Sequence, residues 1–186
     1  MAYTWFVLLL AIAGTALMLL LLHGTPLGQA IHERIPERPR RRLFVASASF
    51  FLTFAGVRAV VYAILHQIPP FHFIQAGGRH VHHLVFGIII LLAVGYGWLC
   101  EVGTGADGTS IFLSRLMSVL YGVGAALTLD EFALWLNLKD VYWSREGRAS
   151  FDAIFLFGAL PAAGAWGAPL LKWGTKVRKT RAPKPS

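Results

Sequence analysis

The chain has 186 residues, of which 56% are hydrophobic and only 14% charged, and its formal net charge is +8. A soluble domain carries about 25% charged residues, so this deficit, with a mean hydropathy of +0.59, points to lipid as the solvent for much of the chain. Lys and Arg lie almost wholly in short segments beside apolar blocks, with no basic face interleaved with aromatics, which excludes nucleic acid as the expected partner. Cys100 is the single cysteine, which rules out an intrachain disulfide and any cysteine-rich metal motif.

The apolar residues fall in blocks long enough to cross a bilayer, where a helix needs roughly 20 of them. The first block covers about residues 3–22. No basic segment precedes it and it is too long for a signal core, so it reads as a retained span. Gly24 and Pro26 end it, and Arg34, Arg38, Arg40, Arg41 and Arg42 follow in a loop. The second block, 43–66, stops before the Pro69-Pro70 pair. The third covers 82–100, and a glycine-rich connector, 103–110, leads to the fourth, 111–136. A polar loop, 137–149, precedes the fifth, 151–173. These blocks predict an all-α, polytopic membrane bundle of about five helices. It forms a single domain over residues 1–174, and the composition of the basic tail, 175–186, predicts disorder.

Five crossings put alternate loops on opposite sides, and the charges then choose the orientation. Twelve Lys and Arg fall on one side: Arg34 to Arg42, Arg115, and the group from Lys172 to Lys184. Four fall on the other: Arg79, Lys139, Arg145 and Arg148. Positive residues collect at the cytoplasm, so the amino terminus is expected outside and the carboxyl terminus inside. The expected location is the plasma (inner) membrane, crossed several times. The expected partners are the bilayer itself and anionic headgroups facing the basic cytoplasmic segments.

This orientation gathers the remaining polar residues at the outer end. His80, His82 and His83 open the third span, and Asp130 and Glu131 lie near the end of the fourth. Asp140, Arg148 and Asp152 occupy the last loop and the start of the fifth span, while Arg58 sits roughly 12 Å inside the second at 1.5 Å per residue. Ionisable groups in hydrocarbon are expensive unless paired, and they commonly mark a site. On the fourth span Ser118, Gly122 and Ala126 form a small-residue stripe leading to Asp130, and Gly124 and Thr128 lead towards Glu131. Small residues line helix contacts in membranes, so both carboxylates are expected to face the bundle interior.

Imidazoles and carboxylates together suit a divalent transition metal such as zinc. His80, His82, His83 and Asp130 are the candidate ligands, with Glu131 as general base if the metal activates water. The alternative is a structural network in which Arg58 pairs with Asp130 or Glu131, the histidines hydrogen-bond at the interface, and Arg148 pairs with Asp152. His66 and His72 flank the proline pair in a Phe-rich stretch and read as interfacial; Tyr142 and Trp143 read as an aromatic belt.

Four segments carry a likeness to a known group of proteins: His80–Gly87 (HVHHLVFG), Leu127–Leu134 (LTLDEFAL), Asp140–Trp143 (DVYW) and Gly147–Ala153 (GRASFDA). In these the chain resembles a family of small bacterial, chiefly actinobacterial, integral membrane proteins. The resemblance spans the last three blocks, about half of the chain. It implies a multi-pass helical fold and brings no substrate, reaction or cofactor with it.

Three classes of function fit these features. The first is a metal-dependent enzyme acting on a lipid or envelope substrate from the outer face. The second is a proton- or ion-coupled transporter or channel component; no inverted repeat or pair of broken helices supports it, and so short a chain would need a homo-oligomer to enclose a path. The third is a structural or assembly subunit whose polar cluster fixes helix register.

Overall fold

The computed structural model describes residues 2–68 and 82–137, together with Phe155 and Gly158. Among these residues all regular structure is helical. Helix α1 (Ala2–Gly24) is followed at once by α2 (Pro26–Arg34), a stretch expected as loop. Thr25 caps α2 by accepting the Leu27 N–H at 3.3 Å, and Pro26 stands where a helix has no use for a backbone N–H. Helix α3 (Arg38–Leu65) begins five residues before the predicted 43, again with a proline in its first turn. Arg38, Arg40, Arg41 and Arg42 therefore stand on a helix, where the sequence pattern had put them in a loop.

Helix α4 (His83–Leu99) matches its predicted span within a residue at each end. It closes with Glu101 in the left-handed region (φ 56°), while the N–H groups of Glu101 and Val102 donate to the carbonyls of Trp98 and Gly97. That is the Schellman ending, which satisfies the orphan carbonyls of a helix end. Asp107 caps α5 (Gly108–Asp130) by accepting the Ser110 N–H at 2.8 Å and its hydroxyl at 2.6 Å. The predicted fourth span, 111–136, is interrupted at Glu131 and resumes as α6 (Phe132–Asn137).

Among the described residues three helices are long and apolar enough to cross a membrane: α1 over Val7–Gly24, α3 over Arg38–Ile64, and α5 over Gly108–Asp130. The fourth, α4, is an apolar helix of 17 residues. Its outer face carries exposed Ile89, Leu92, Tyr96 and Leu99, an apolar surface of the kind lipid requires. The predicted fifth span, 151–173, and the tail, 175–186, lie outside the described residues, except that Phe155 and Gly158 are helical. Gly158 lies against the ring of Phe51 on α3, so close that an added Cβ would stand 2.6 Å from Cζ.

Contacts at the helix ends give the directions. The start of α3 meets the start of α5, through Arg42 and Ser114, and Arg58 on α3 meets the end of α5 at Asp130. These two helices run parallel. The first residues of α4 meet the end of α5, and His23 at the end of α1 meets Phe112 and Arg115 near the start of α5. Helices α1 and α4 thus run opposite to α3 and α5.

Helix α5 is the centre of this bundle, with 61% of its span buried against 39% for α3 and 17% for α1. Its glycines explain how. A Cβ on Gly122 would stand 2.2 Å from the Ala46 carbonyl oxygen and 2.8 Å from the Phe50 nitrogen, so α3 is packed backbone to backbone there. On the other face Gly124 meets Gly87 of α4, and a Cβ on Gly87 would lie 2.7 Å from the Gly124 oxygen and 2.8 Å from the Thr128 nitrogen. In lipid, helices are held by such close packing because tails are as apolar as Leu. Val7, Val57, Val61, Val119, Val123 and Leu127 fill the space among α1, α3 and α5.

Two outcomes follow from this packing. Gly122→Ala forces α3 off α5 and is expected to lower stability by about 1–3 kcal/mol, the range for overpacked cores. Gly95→Ala, where no atom lies within 4 Å of an added Cβ, leaves stability unchanged; thermal unfolding in detergent reads both. Separately, the two Ser110 hydrogen bonds hold the Asp107 carboxyl below its ordinary range. A depressed folded-state value adds stability above the unfolded carboxylate value, about pH 3.9, and that stability fades as the pH drops through the folded value. Asp107→Asn, which keeps an accepting oxygen, should remove this acid-dependent part of the unfolding profile.

Candidate functional site

At the end of the bundle where α5 stops and α4 begins, five ionisable side chains meet. Asp130, fully buried, takes a salt bridge of 2.6 Å from Arg58 Nε through Oδ1. Its other oxygen, Oδ2, lies 3.2 Å from His83 Nε2. His83 is 1% exposed, and its Nδ1 lies 3.6 Å from Glu131 Oε1. That same Glu131 oxygen lies 2.9 Å from His82 Nδ1. Arg58, Asp130, His83, Glu131 and His82 therefore form one continuous chain of charged or chargeable groups.

Local backbone structure aims each member. His82 is the cap residue of α4, and His83 occupies its first helical position. One turn later Gly87 lets α4 touch α5, which brings the two imidazoles to the end of α5. The chain leaves the helix at Glu131, and the carboxylate turns to α4, where Oε2 accepts the Leu84 N–H at 3.0 Å. A carboxylate from one helix thus caps the start of another, satisfying an orphan N–H and meeting the positive end of the helix dipole. Arg58 does the converse. Besides its salt bridge, its NH2 lies 3.4 Å from the Asp130 carbonyl oxygen, at the negative end of α5, and its guanidinium stands 5.1 Å over the Phe54 ring.

The middle of this chain is buried and its two ends are not. Asp130, His83 and Glu131 are 0%, 1% and 3% exposed, while the side chains of His82 and Arg58 are 23% and 22% exposed. His82 is the imidazole that reaches the surface.

Of the residues singled out from the sequence, Arg58, His82, His83, Asp130 and Glu131 come together here. His80, Asp140, Arg148 and Asp152 lie outside the described residues. Among the described residues no group of three His, Cys, Asp or Glu is arranged to hold a metal ion. His82 and His83 are turned to Glu131 and Asp130 respectively.

Some features had no sequence signal. Nothing in the pattern showed that Glu131 would cap α4, since the two are joined only by tertiary contact. At the opposite end, Arg38 and Arg42 bind the connector between α4 and α5. Arg42 donates to Gly103 O and Ser114 Oγ, and Arg38 to Thr104 O and Gly105 O. Gly103 (φ 75°) needs its missing side chain, because a Cβ would stand 2.5 Å from the Ser114 nitrogen.

The chain matches no protein-family model, no curated protein and no solved structure.

Removing one partner of a buried ion pair leaves an uncompensated charge and lowers stability by about 3–5 kcal/mol. Arg58→Met is expected to behave so. Arg58→Met with Asp130→Asn should be less destabilised than Arg58→Met alone, because the stranded carboxylate is gone. Unfolding of the unaltered protein, both single variants and the double variant in one detergent checks this; losses that simply add in the double variant would show that the pair is not coupled.

Proposed function

We propose that this chain is a multi-pass plasma-membrane protein whose outward-facing end holds an acid–base site, with His82 as the proton-exchanging group. Its amino terminus lies outside and its arginine-rich end at the cytoplasm. The observation that carries the reading is the 2.9 Å contact between His82 Nδ1 and Glu131 Oε1, with Glu131 itself anchored on the Leu84 N–H. A carboxylate on Nδ1 selects the tautomer and fixes the ring. The other nitrogen, Nε2, then exchanges a proton with the group that stands beyond it, the same division of labour as in a His–carboxylate dyad.

Glu131 is, in this reading, the positioning carboxylate, a change from the general base suggested by sequence. Behind it His83, Asp130 and Arg58 hold charge balance, so that a proton gained at His82 is met by a fixed counter-charge. A site at the membrane surface suits a lipid or envelope molecule presented from the outer leaflet. Placement is supported by the separation of the two polar ends. From Arg115 to Asp130 α5 rises about 22 Å, and from Arg38 to Arg58 α3 rises about 30 Å, close to the thickness of a hydrocarbon core.

A metal-assisted version of this site has one observation in its favour. Metal-ligating histidines regularly give their second nitrogen to a carboxylate, as His82 does to Glu131. His82 Nε2 and His80 would then be the ligands, and elemental analysis of purified protein decides between the two versions.

The acid–base reading is checked by nitrogen NMR of histidine-labelled protein in nanodiscs. Neutral His82 is expected with its proton on Nδ1, and Glu131→Gln should shift it to the Nε2-protonated form usual in water. A His82 ring already protonated on Nε2 in the unaltered protein, with no change in Glu131→Gln, would overturn the proposal.

A further inference from the structure

The opposite end of the bundle has a second polar feature that the acid–base reading does not use. Arg38, Arg41 and Arg42 on α3 and Arg115 on α5 line one small pocket with Ser114 and Ser118, about 20 Å³ in volume and open at its mouth. Among the described residues none of these four arginines is paired with a carboxylate; the ion pair in this region joins Arg40 to Glu37. Among the described residues that line this pocket, four carry a positive charge and none a carboxylate.

Neutral partners hold the guanidinium groups in place. Arg38 and Arg42 are tied to the carbonyls of Gly103, Thr104 and Gly105 and to the Ser114 hydroxyl. Arg41 donates to Ile35 O at 2.9 Å, and Arg115 NH1 lies 2.8 Å from His23 Nδ1. An arginine has five N–H donors, and these contacts leave donors over on each of the four. The pocket also lies beside the first turns of α3 and α5, whose dipoles present their positive ends. If these arginines served only to orient the chain, exposed and separate side chains would be enough. Held together around one pocket, they form a site suited to an anion.

We propose that this pocket binds a phosphate group, supplied by an anionic phospholipid of the leaflet that borders it. Planar guanidinium forks match phosphate oxygens in pairs, and the pocket sits where α3 and α5 emerge from the apolar span. The same chemistry would accept free phosphate, so the test separates the two sources. The inference does not depend on His82 or on any reaction at the far end.

The full-length protein is purified in a zwitterionic detergent and given phosphatidylglycerol, phosphatidylcholine or inorganic phosphate. Bound lipid is read by native mass spectrometry and stability by thermal unfolding. Phosphatidylglycerol is expected to be retained over phosphatidylcholine and to raise the unfolding temperature, as any ligand of the folded state does. Arg41→Gln with Arg115→Gln, which spares the two arginines that hold the connector, should weaken retention roughly tenfold or more, the loss of at least one charge-assisted pair. Arg34→Gln with Arg40→Gln removes the same charge outside the pocket and should leave retention unchanged. Stabilisation by inorganic phosphate alone, lost in the same pocket variant, would support the pocket and assign it to a soluble phosphate. Equal retention of the two lipids with no effect of phosphate, or equal losses in the two double variants, would overturn the proposal.

Discussion

Everything else in this bundle depends on how closely α5 approaches its two neighbours. Between helices in lipid there is little hydrophobic gain, so contact must come from backbones near enough for dense van der Waals packing. Gly122 gives that contact to α3, and Gly124 with Gly87 gives it to α4. The two contacts lie on different faces of α5, and each sets the register of a helix that brings ionisable groups. Shift α3 by one turn and Arg58 no longer meets Asp130. Shift α4 by one turn and His83 leaves the end of α5.

The polar cluster is possible because its members satisfy one another. A fully buried Asp130 would be untenable alone; with Arg58 on one oxygen and His83 near the other it becomes part of a balanced set. Glu131 joins the two halves, since one of its oxygens reaches both imidazoles and the other caps α4. Electrostatics and helix capping are thus served by one side chain. This double duty makes the cluster rigid, and a rigid ring nitrogen is what a site for directed proton exchange requires.

The two ends of the molecule are built on different principles. At the His82 end, charges of both signs are buried and matched. At the Arg42 end, one sign dominates and the partners are carbonyls and a hydroxyl, with the connector of residues 101–107 folded against the guanidinium groups. Opposite ends of α3 and α5 thus carry a balanced network and an unbalanced one, separated by an apolar stretch of about 22–24 Å.

The sequence by itself determined that the chain is helical and apolar, because block length and missing charge are local properties that no tertiary contact can disguise. It also marked the small-residue faces of the fourth block and the residues Arg58, His82, His83, Asp130 and Glu131, since an ionisable group inside an apolar run stands out without any structure. Helix starts were less legible: α2 and the early start of α3 rest on Thr25, Pro26 and Pro39, which also read as loop-formers. Only the tertiary structure decided who meets whom. Asp130 and Glu131 are adjacent in sequence and carry similar charge, yet one binds Arg58 and the other caps α4, because the chain leaves the helix between them. Arg38 and Arg42 looked like topology signals; their bonds to Gly103 and Ser114 span 61 to 72 residues. Pairings at that range depend on how helices pack, and no local pattern encodes them.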